Sequence, residues 1–516
     1  MMTLTPFKNE PFVDFSLPKN EQAMRQAIEQ VKNQLGKSYP LVINGEAIFT
    51  EETAPSYNPA KKDQLIGTVS QADRQAIDQA IAAASEAFET WRYTPAEVRS
   101  SYLLKAAAAI RRRKFEFSAW MVLETGKSWA EADADVAEAI DFMEYYAREM
   151  LRLANPVALV PYEGEFNRQV YIPLGVGVII PPWNFPLAIM AGMTTSAIVT
   201  GNTVLLKPSP NAPVIAAKFV ELMHELGLPK GVLNYVPGRP EEIGDYMTGH
   251  PLTRFISFTG SRDVGLHIVE HANKRVPGQK WIKRVIAEMG GKDGIVVDRD
   301  ADLDAAAAAI VQSAFGFQGQ KCSAASRAIV HKDVYDEVVQ KVVALTKSLP
   351  MGNPEDNVYV GPVIDEKAFK KVQHYIEIGK TEAKLVAGGE TGPDHGFFVQ
   401  PTIFIDAKTD SRLMQEEIFG PVLGIMKADS FEEAIDLFNS TEYGLTGSVF
   451  SHDEAHLAYA SERMFCGNLY FNRKCTGALV GVHPFGGFNM SGTDSKTGGP
   501  DYLQLFMQAK VVSEKF

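Results

Sequence analysis

The chain has 516 residues, 45% hydrophobic and 22% charged, with a formal net charge of −12 at pH 7. That length exceeds what one hydrophobic core can organise, so two or three domains are expected. The acidic balance argues against nucleic acid or an anionic membrane as the main partner, and no apolar run is long enough to cross a bilayer.

The opening thirty residues hold no secretory h-region. Three well-separated cysteines, Cys322, Cys466 and Cys475, offer no disulfide framework and suit a reducing cytoplasm. Residues 70–150 are rich in Ala, Glu and Arg with apolar positions at helical spacing, which predicts several long helices. The basic run 111–114 reads as a solvated helix face. Short β-like runs at 156–161 and 169–172 flank a polar stretch and predict a hairpin. Strand and helix then alternate, with strands over 176–180, 203–206, 231–236 and 254–258. Helices are expected over 190–200, over 213–226 with Gly227 closing it, and after Ser261. This alternation implies right-handed βαβ crossovers and a doubly wound parallel sheet. A second α/β series begins near Gly294, with helices over 302–315, 334–349 and 431–438 and a strand over 326–330. A last strand covers 508–512.

The dinucleotide fingerprint Gly-x-Gly-x-x-Gly is missing, since Gly175-Val176-Gly177 lacks the third glycine. Two other features suit a nucleotide. Thr259-Gly260-Ser261 ends a strand and opens a helix, leaving backbone N–H groups for phosphate oxygens. Lys207 ends another strand, where it can reach a ribose hydroxyl. Each alone also reads as a connecting turn, but together they gather polar groups at the carboxyl ends of strands, where open α/β sheets bind ligands.

Cys322, in Gly319-Gln320-Lys321-Cys322-Ser323, and Glu288, in Glu288-Met289-Gly290-Gly291-Lys292, carry a second chemistry. A thiolate added to an aldehyde carbon makes a tetrahedral oxyanion that can expel hydride onto a nicotinamide ring, and a carboxylate can activate the water that releases the thioester. Taken singly, the cysteine more often reads as a small buried apolar residue and the glutamate's segment as a strand-to-turn connection.

Taken in order, Pro182-Trp183-Asn184-Phe185-Pro186, Lys207-Pro208-Ser209, Phe258-Thr259-Gly260-Ser261, the segments of Glu288 and Cys322, Glu416-Glu417-Ile418-Phe419-Gly420-Pro421, Tyr443-Gly444-Leu445-Thr446 and Pro484-Phe485-Gly486-Gly487 resemble the aldehyde dehydrogenase superfamily. The resemblance implies Cys322 as nucleophile, Glu288 as base, and the Asn184 amide with the Cys322 N–H as oxyanion hole. It also implies that Lys207 binds the adenosine ribose, Ser261 the pyrophosphate and Glu417 the nicotinamide ribose, with Phe419 packed on the cofactor. Pro182, Trp183, Ser209, Gly238, Gly260 and Gly265 complete the expected cofactor set. Pro210 stands where many relatives place a glutamate that excludes a 2′-phosphate, so NAD is expected and NADP stays open. Relatives that pass the thioester to coenzyme A generally lack the base, so Glu288 implies release to water.

The segment 472–481, the opening run 7–15 and the stretch 140–147 are similar to the branch that oxidises glutamate γ-semialdehyde, the opened form of 1-pyrroline-5-carboxylate, in proline catabolism. That likeness implies that the N–H groups of Gly477 and Ala478 and the Ser323 hydroxyl bind the substrate carboxylate. Phe185 and Phe485 would line the aliphatic stem, and Glu144 would face the α-ammonium. Cys466 and Cys475 are expected to be structural, and no metal is expected. Another semialdehyde, such as succinate semialdehyde, remains an alternative substrate. A non-catalytic binding or structural protein with this fold, or a cysteine hydrolase, are the alternatives outside the class. The expected fold is α/β with two doubly wound parallel-sheet domains: residues 1–153 with 174–290 binding NAD, and 291–505 carrying the cysteine. A β-flap, 154–173 with 506–516, would leave an edge strand for a second subunit to cover, giving at least a homodimer in the cytoplasm.

Overall fold

Strand Val176–Ile180 is apolar apart from Gly177 and nearly all buried, the pattern of a strand covered on both faces. In the computed structural model, which describes residues 4–516, it is the middle one of the five parallel strands of a seven-stranded sheet. The order across that sheet is Arg284–Glu288, Thr253–Thr259, Val176–Ile180, Thr203–Leu206, Leu233–Tyr235, Leu41–Ile43, Glu46–Ile48. The first five strands are parallel, and the last two form a hairpin added antiparallel at the edge. The chain moves from the central strand outward on one side, then crosses to the other. A crevice therefore opens between the carboxyl ends of Val176–Ile180 and Thr253–Thr259, the switch point where such sheets take ligands.

The helices expected over 70–150 are Arg74–Trp91, Ala96–Arg112, Lys114–Thr125 and Trp129–Leu153. The last three join Ala188–Val199 and Pro213–Glu225 in one core on one face of this sheet, while Arg74–Trp91 packs with Arg262–Ala272 on the other. A second seven-stranded sheet, from Lys384–Ala387 at one edge to Asn468–Phe471 at the other, is parallel except at the first of these. Leu303–Phe315 and Tyr335–Lys347 cover one face and Glu366–Glu382 with Phe431–Phe438 the other, so its apolar side chains divide into two cores.

The expected hairpin forms between Val157–Ala158 and Glu165–Pro173, and Met507–Lys515 pairs along the whole of the latter. The C-terminal strand is thus longer than 508–512, because its partner supplies hydrogen bonds that its own exposed, polar residues do not announce. The strands between Lys37 and Ser70 have no counterpart in the sequence reading. Most are short and half-exposed, and they pair chiefly with one another, with Leu41–Ile43 also joining Leu233–Tyr235 of the large sheet. Residues 1–3 of the expected nucleotide-binding stretch lie outside the described residues. Among the described residues no helix is long and apolar enough to cross a membrane.

Candidate active site

Because five neighbouring strands run parallel, their carboxyl ends share one edge, and the expected cofactor residues fall there in sheet order. Gly260 and Ser261 follow Thr253–Thr259, and Pro182 and Trp183 follow Val176–Ile180. Lys207 and Ser209 follow Thr203–Leu206, and Gly238 follows Leu233–Tyr235. Ser261 is the N-cap of Arg262–Ala272 but makes no side-chain cap, so the first N–H groups of that helix stay open to an anion. Gly265, on its first turns, packs against Met289. Lys207 is buried, and among the described residues its Nζ donates only to the Pro208 carbonyl, at 3.2 Å. Burial lowers its pKa to about 8, a cost that a ligand oxygen would relieve. Ser209 sits in the same turn, its hydroxyl accepting from Asn211 N.

The opposite wall comes from the second sheet. Glu417 Oε1 accepts from Gly291 N at 3.0 Å. Phe419 has left-handed backbone, φ 59°, which turns its ring edge-on to Trp183 at 5.6 Å between centroids. A buried lysine with unused protons, an uncapped helix N-terminus and a carboxylate across the groove fit a dinucleotide.

Cys322 lies on the turn between Leu303–Phe315 and Ala325–His331, and Glu288 is the last residue of Arg284–Glu288. The segment after Glu288 passes so close that a Cβ on Gly291 would sit 2.7 Å from the Cys322 carbonyl oxygen. Asn184 is buried beside them, its Nδ2 donating to Gln320 O at 3.0 Å. The three expected catalytic residues are therefore brought together. The Glu288 carboxylate accepts from Gly487 N, Ser495 N and Ser495 Oγ at 3.1, 3.1 and 2.7 Å. Burial nevertheless raises its pKa to about 7, against those hydrogen bonds. Burial also pushes the Cys322 thiol up, and the carboxylates of Asp293, Glu417 and Glu288 add to it.

Cys322, Glu288, Ser323, Phe185, Phe485, Gly477 and Ala478 line one cavity of about 480 Å³. Among the described residues nothing accepts from the backbone N–H of Gly477 or Ala478. Cys475 Sγ donates to Ser323 O at 3.4 Å, tying the 473–481 loop to the turn of Cys322. Both Cys475 and Cys466 are buried and free. Glu144 requires correction, because it does not line the cavity. It pairs with Arg148 at 2.7 Å and Arg111 at 3.3 Å. Helix Trp129–Leu153 lines the cavity with Ala130, Glu131, Asp133, Ala134, Glu138, Asp141 and Phe142, and Glu144 lies beyond the last of them along the helix.

A sequence profile described as "Aldehyde dehydrogenase family" matches residues 48–512. The chain belongs to the aldehyde dehydrogenase family. The 1-pyrroline-5-carboxylate dehydrogenase of Bacillus subtilis (strain 168) is 60% identical over 516 residues, 100% of both chains. That of Geobacillus thermodenitrificans (strain NG80-2) is 59% identical over 512 residues, 99% of both. A solved 1-pyrroline-5-carboxylate dehydrogenase from Thermus with bound NAD is 50% identical, with a TM-score of 0.99 and 100% of both chains covered. A betaine aldehyde dehydrogenase from Staphylococcus aureus in complex with NAD+ is 29% identical, with a TM-score of 0.88 over 94% of this chain and 95% of that one.

Within this aldehyde dehydrogenase frame the sequence reading missed several charged groups of the cavity, Lys321 and Glu138 among them. Lys321 Nζ pairs with Glu131 at 2.7 Å. Glu138 has no hydrogen-bond or ion-pair partner among the described residues, and burial raises its pKa to about 8. Lys321 stands directly before the cysteine, a position that by itself points to the site. Glu138 could have been found by asking which glutamate continues the stripe of Glu131.

Proposed function

We propose that this chain oxidises L-glutamate γ-semialdehyde, the hydrolysed form of 1-pyrroline-5-carboxylate, to L-glutamate with NAD, the second step of proline breakdown. The observation that carries the reading is one cavity with Cys322 and Glu288 at its reacting end and unpaired N–H groups at Gly477 and Ala478 in its wall. The names of relatives about 60% identical over the whole chain support it.

Cys322 is the nucleophile: its sulfur bonds to the aldehyde carbon as the thiol proton passes to the carbonyl oxygen. The Asn184 amide and the Cys322 N–H hold the oxygen where negative charge develops, a contribution of ~3–4 kcal/mol for such donors. NAD, when bound, supplies the acceptor for the hydride that leaves the adduct carbon as the hydroxyl proton is released, giving a thioester on Cys322. Glu288 then takes a proton from the water that attacks the thioester, and the acid leaves as the thiol is restored. Lys207 and Ser209 would hold the adenosine ribose, Ser261 with Gly260 and Gly265 the pyrophosphate, and Glu417 the nicotinamide ribose. Pro182, Trp183, Gly238 and Phe419 would shape the groove. Pro210 leaves room for NADP beside NAD.

For the substrate, Gly477 N, Ala478 N and the Ser323 hydroxyl take the α-carboxylate, with Lys321 adding charge. Glu138, in place of Glu144, faces the α-ammonium, and Phe185 and Phe485 flank the stem. Residues 1–153 with 174–290 form the nucleotide-binding domain, 291–505 the cysteine-bearing domain, and 154–173 with 506–516 the flap of a homo-oligomer. Free thiols suit the cytoplasm. Cys322→Ala should abolish NADH formation from glutamate semialdehyde while NAD still binds, and mass spectrometry of the quenched parent enzyme should find an acyl adduct on Cys322. Retained turnover, or an adduct on another side chain, would overturn the assignment.

A further inference from the structure

The profile of the family begins at residue 48, yet Phe12 and Val13 line the active-site cavity. They belong to an extended segment ahead of the first helix, Pro18–Lys32. The segment runs along helix Trp129–Leu153 in the opposite direction and is held at each step. Arg148 Nε donates to Thr5 O at 3.1 Å, the Phe7 ring meets Tyr145 edge-on at 5.3 Å, and Glu10 N donates to Asp141 Oδ1 at 2.7 Å. Val13 N donates to Asp133 Oδ2 at 2.7 Å, and the Phe15 ring meets Trp129 at 5.4 Å. The run from Thr5 to Phe15 reaches about 33 Å when fully extended. The helix between Trp129 and Arg148 rises about 28 Å. The segment is therefore drawn out with little slack.

Its middle does more than lie on the helix. Asn9 Nδ2 donates one proton to Asp141 Oδ2 at 2.9 Å and the other to Val480 O at 3.0 Å. That amide joins the helix wall of the cavity to the loop bearing Gly477 and Ala478. A Cβ on Gly481 would lie 3.2 Å from the Phe7 ring, so the strap also abuts the far end of that loop. Phe12 lines the cavity while remaining 62% exposed, which puts its ring at the rim. Glu144, turned from the cavity, holds the two arginines that grip the strap: Arg148 at Thr5, and Arg111, which pairs with Glu10 at 2.7 Å.

We propose that residues 7–15 form a specificity strap, in which Asn9 positions the carboxylate-binding loop and Phe12 closes the rim against bulky aldehydes. The strap acts on which aldehyde fits and leaves the bond-making groups untouched. The inference rests on the substrate reading above. Purified variants would be assayed with glutamate semialdehyde, propanal and benzaldehyde. Asn9→Ala should raise KM for glutamate semialdehyde at least tenfold and for propanal less than twofold. Phe12→Ala should raise kcat/KM for benzaldehyde at least fivefold, while Phe12→Tyr should behave as the parent. Equal changes in KM for both aliphatic aldehydes, or no change in either, would overturn the role of Asn9. No gain with benzaldehyde would overturn the role of Phe12. Both residues are on the surface-lying strap, so each can be replaced without opening a core. A parent enzyme that does not turn over glutamate semialdehyde would instead defeat the substrate reading.

Discussion

Glu288 shows how a single carboxylate acquires a pKa suited to its task. In water it would be ionised at neutral pH and too weak a base to matter. Burial raises it to about 7, while Ser495 and Gly487 stop it rising further. A base works only when unprotonated, so if release of the acyl group limits turnover, kcat should climb with pH up to about 7 and level above it. Glu288→Gln should keep the first burst of NADH and slow steady turnover by roughly 10²-fold or more. Stopped-flow absorbance separates the two phases, and loss of the burst would show that Glu288 also activates the thiol. Glu288 and Cys322 were legible in short runs of sequence because their surroundings of glycine are local. The partners that tune Glu288 were not, since they arrive from residues 487–495.

At the level of elements, the turn that presents Cys322 is the sharpest local demand on the chain. Phe317 and Gln318 have φ of 49° and 55°, and Gly319 follows at 66°. A Cβ at Gly319 would come within 2.4 Å of the Gly420 carbonyl oxygen. Left-handed backbone costs an ordinary residue roughly 1–2 kcal/mol, and the backbone carbonyl cannot move aside cheaply. Gly319→Ala should therefore displace Cys322 and lower kcat by roughly 10²-fold, the scale expected for a shift near 1 Å. Steady-state kinetics and the rate of iodoacetamide labelling would report it, and unchanged values for both would show that the turn tolerates the methyl. The helix and strand on either side were readable from periodicity. The left-handed pair Phe317-Gln318 was not, because neither residue type favours that conformation and only packing imposes it.

For the whole molecule, the three-stranded flap leaves one long side of Met507–Lys515 unpaired among the described residues. Val511 is 57% exposed there, and Val160 and Phe166 are exposed on the same flap. An edge of this length with apolar side chains invites pairing with a second chain. Val511→Asp should shift the protein toward monomer in light scattering while leaving its circular dichroism unchanged. A parent protein that is itself monomeric at micromolar concentration would sink the oligomer reading.

By itself the amino-acid sequence determined the alternation of strands and helices, the thiol and the carboxylate that make the chemistry, and the turns that receive a nucleotide. These depend on residue type and on spacing within a few positions, which are properties of contiguous chain. Only the tertiary structure decided that Glu138 rather than Glu144 meets the cavity, and that the segment of Phe12 and Val13 reaches its rim. Those outcomes turn on which stretch of Trp129–Leu153 meets segments more than a hundred positions away, and a helix written in one dimension does not disclose its neighbours.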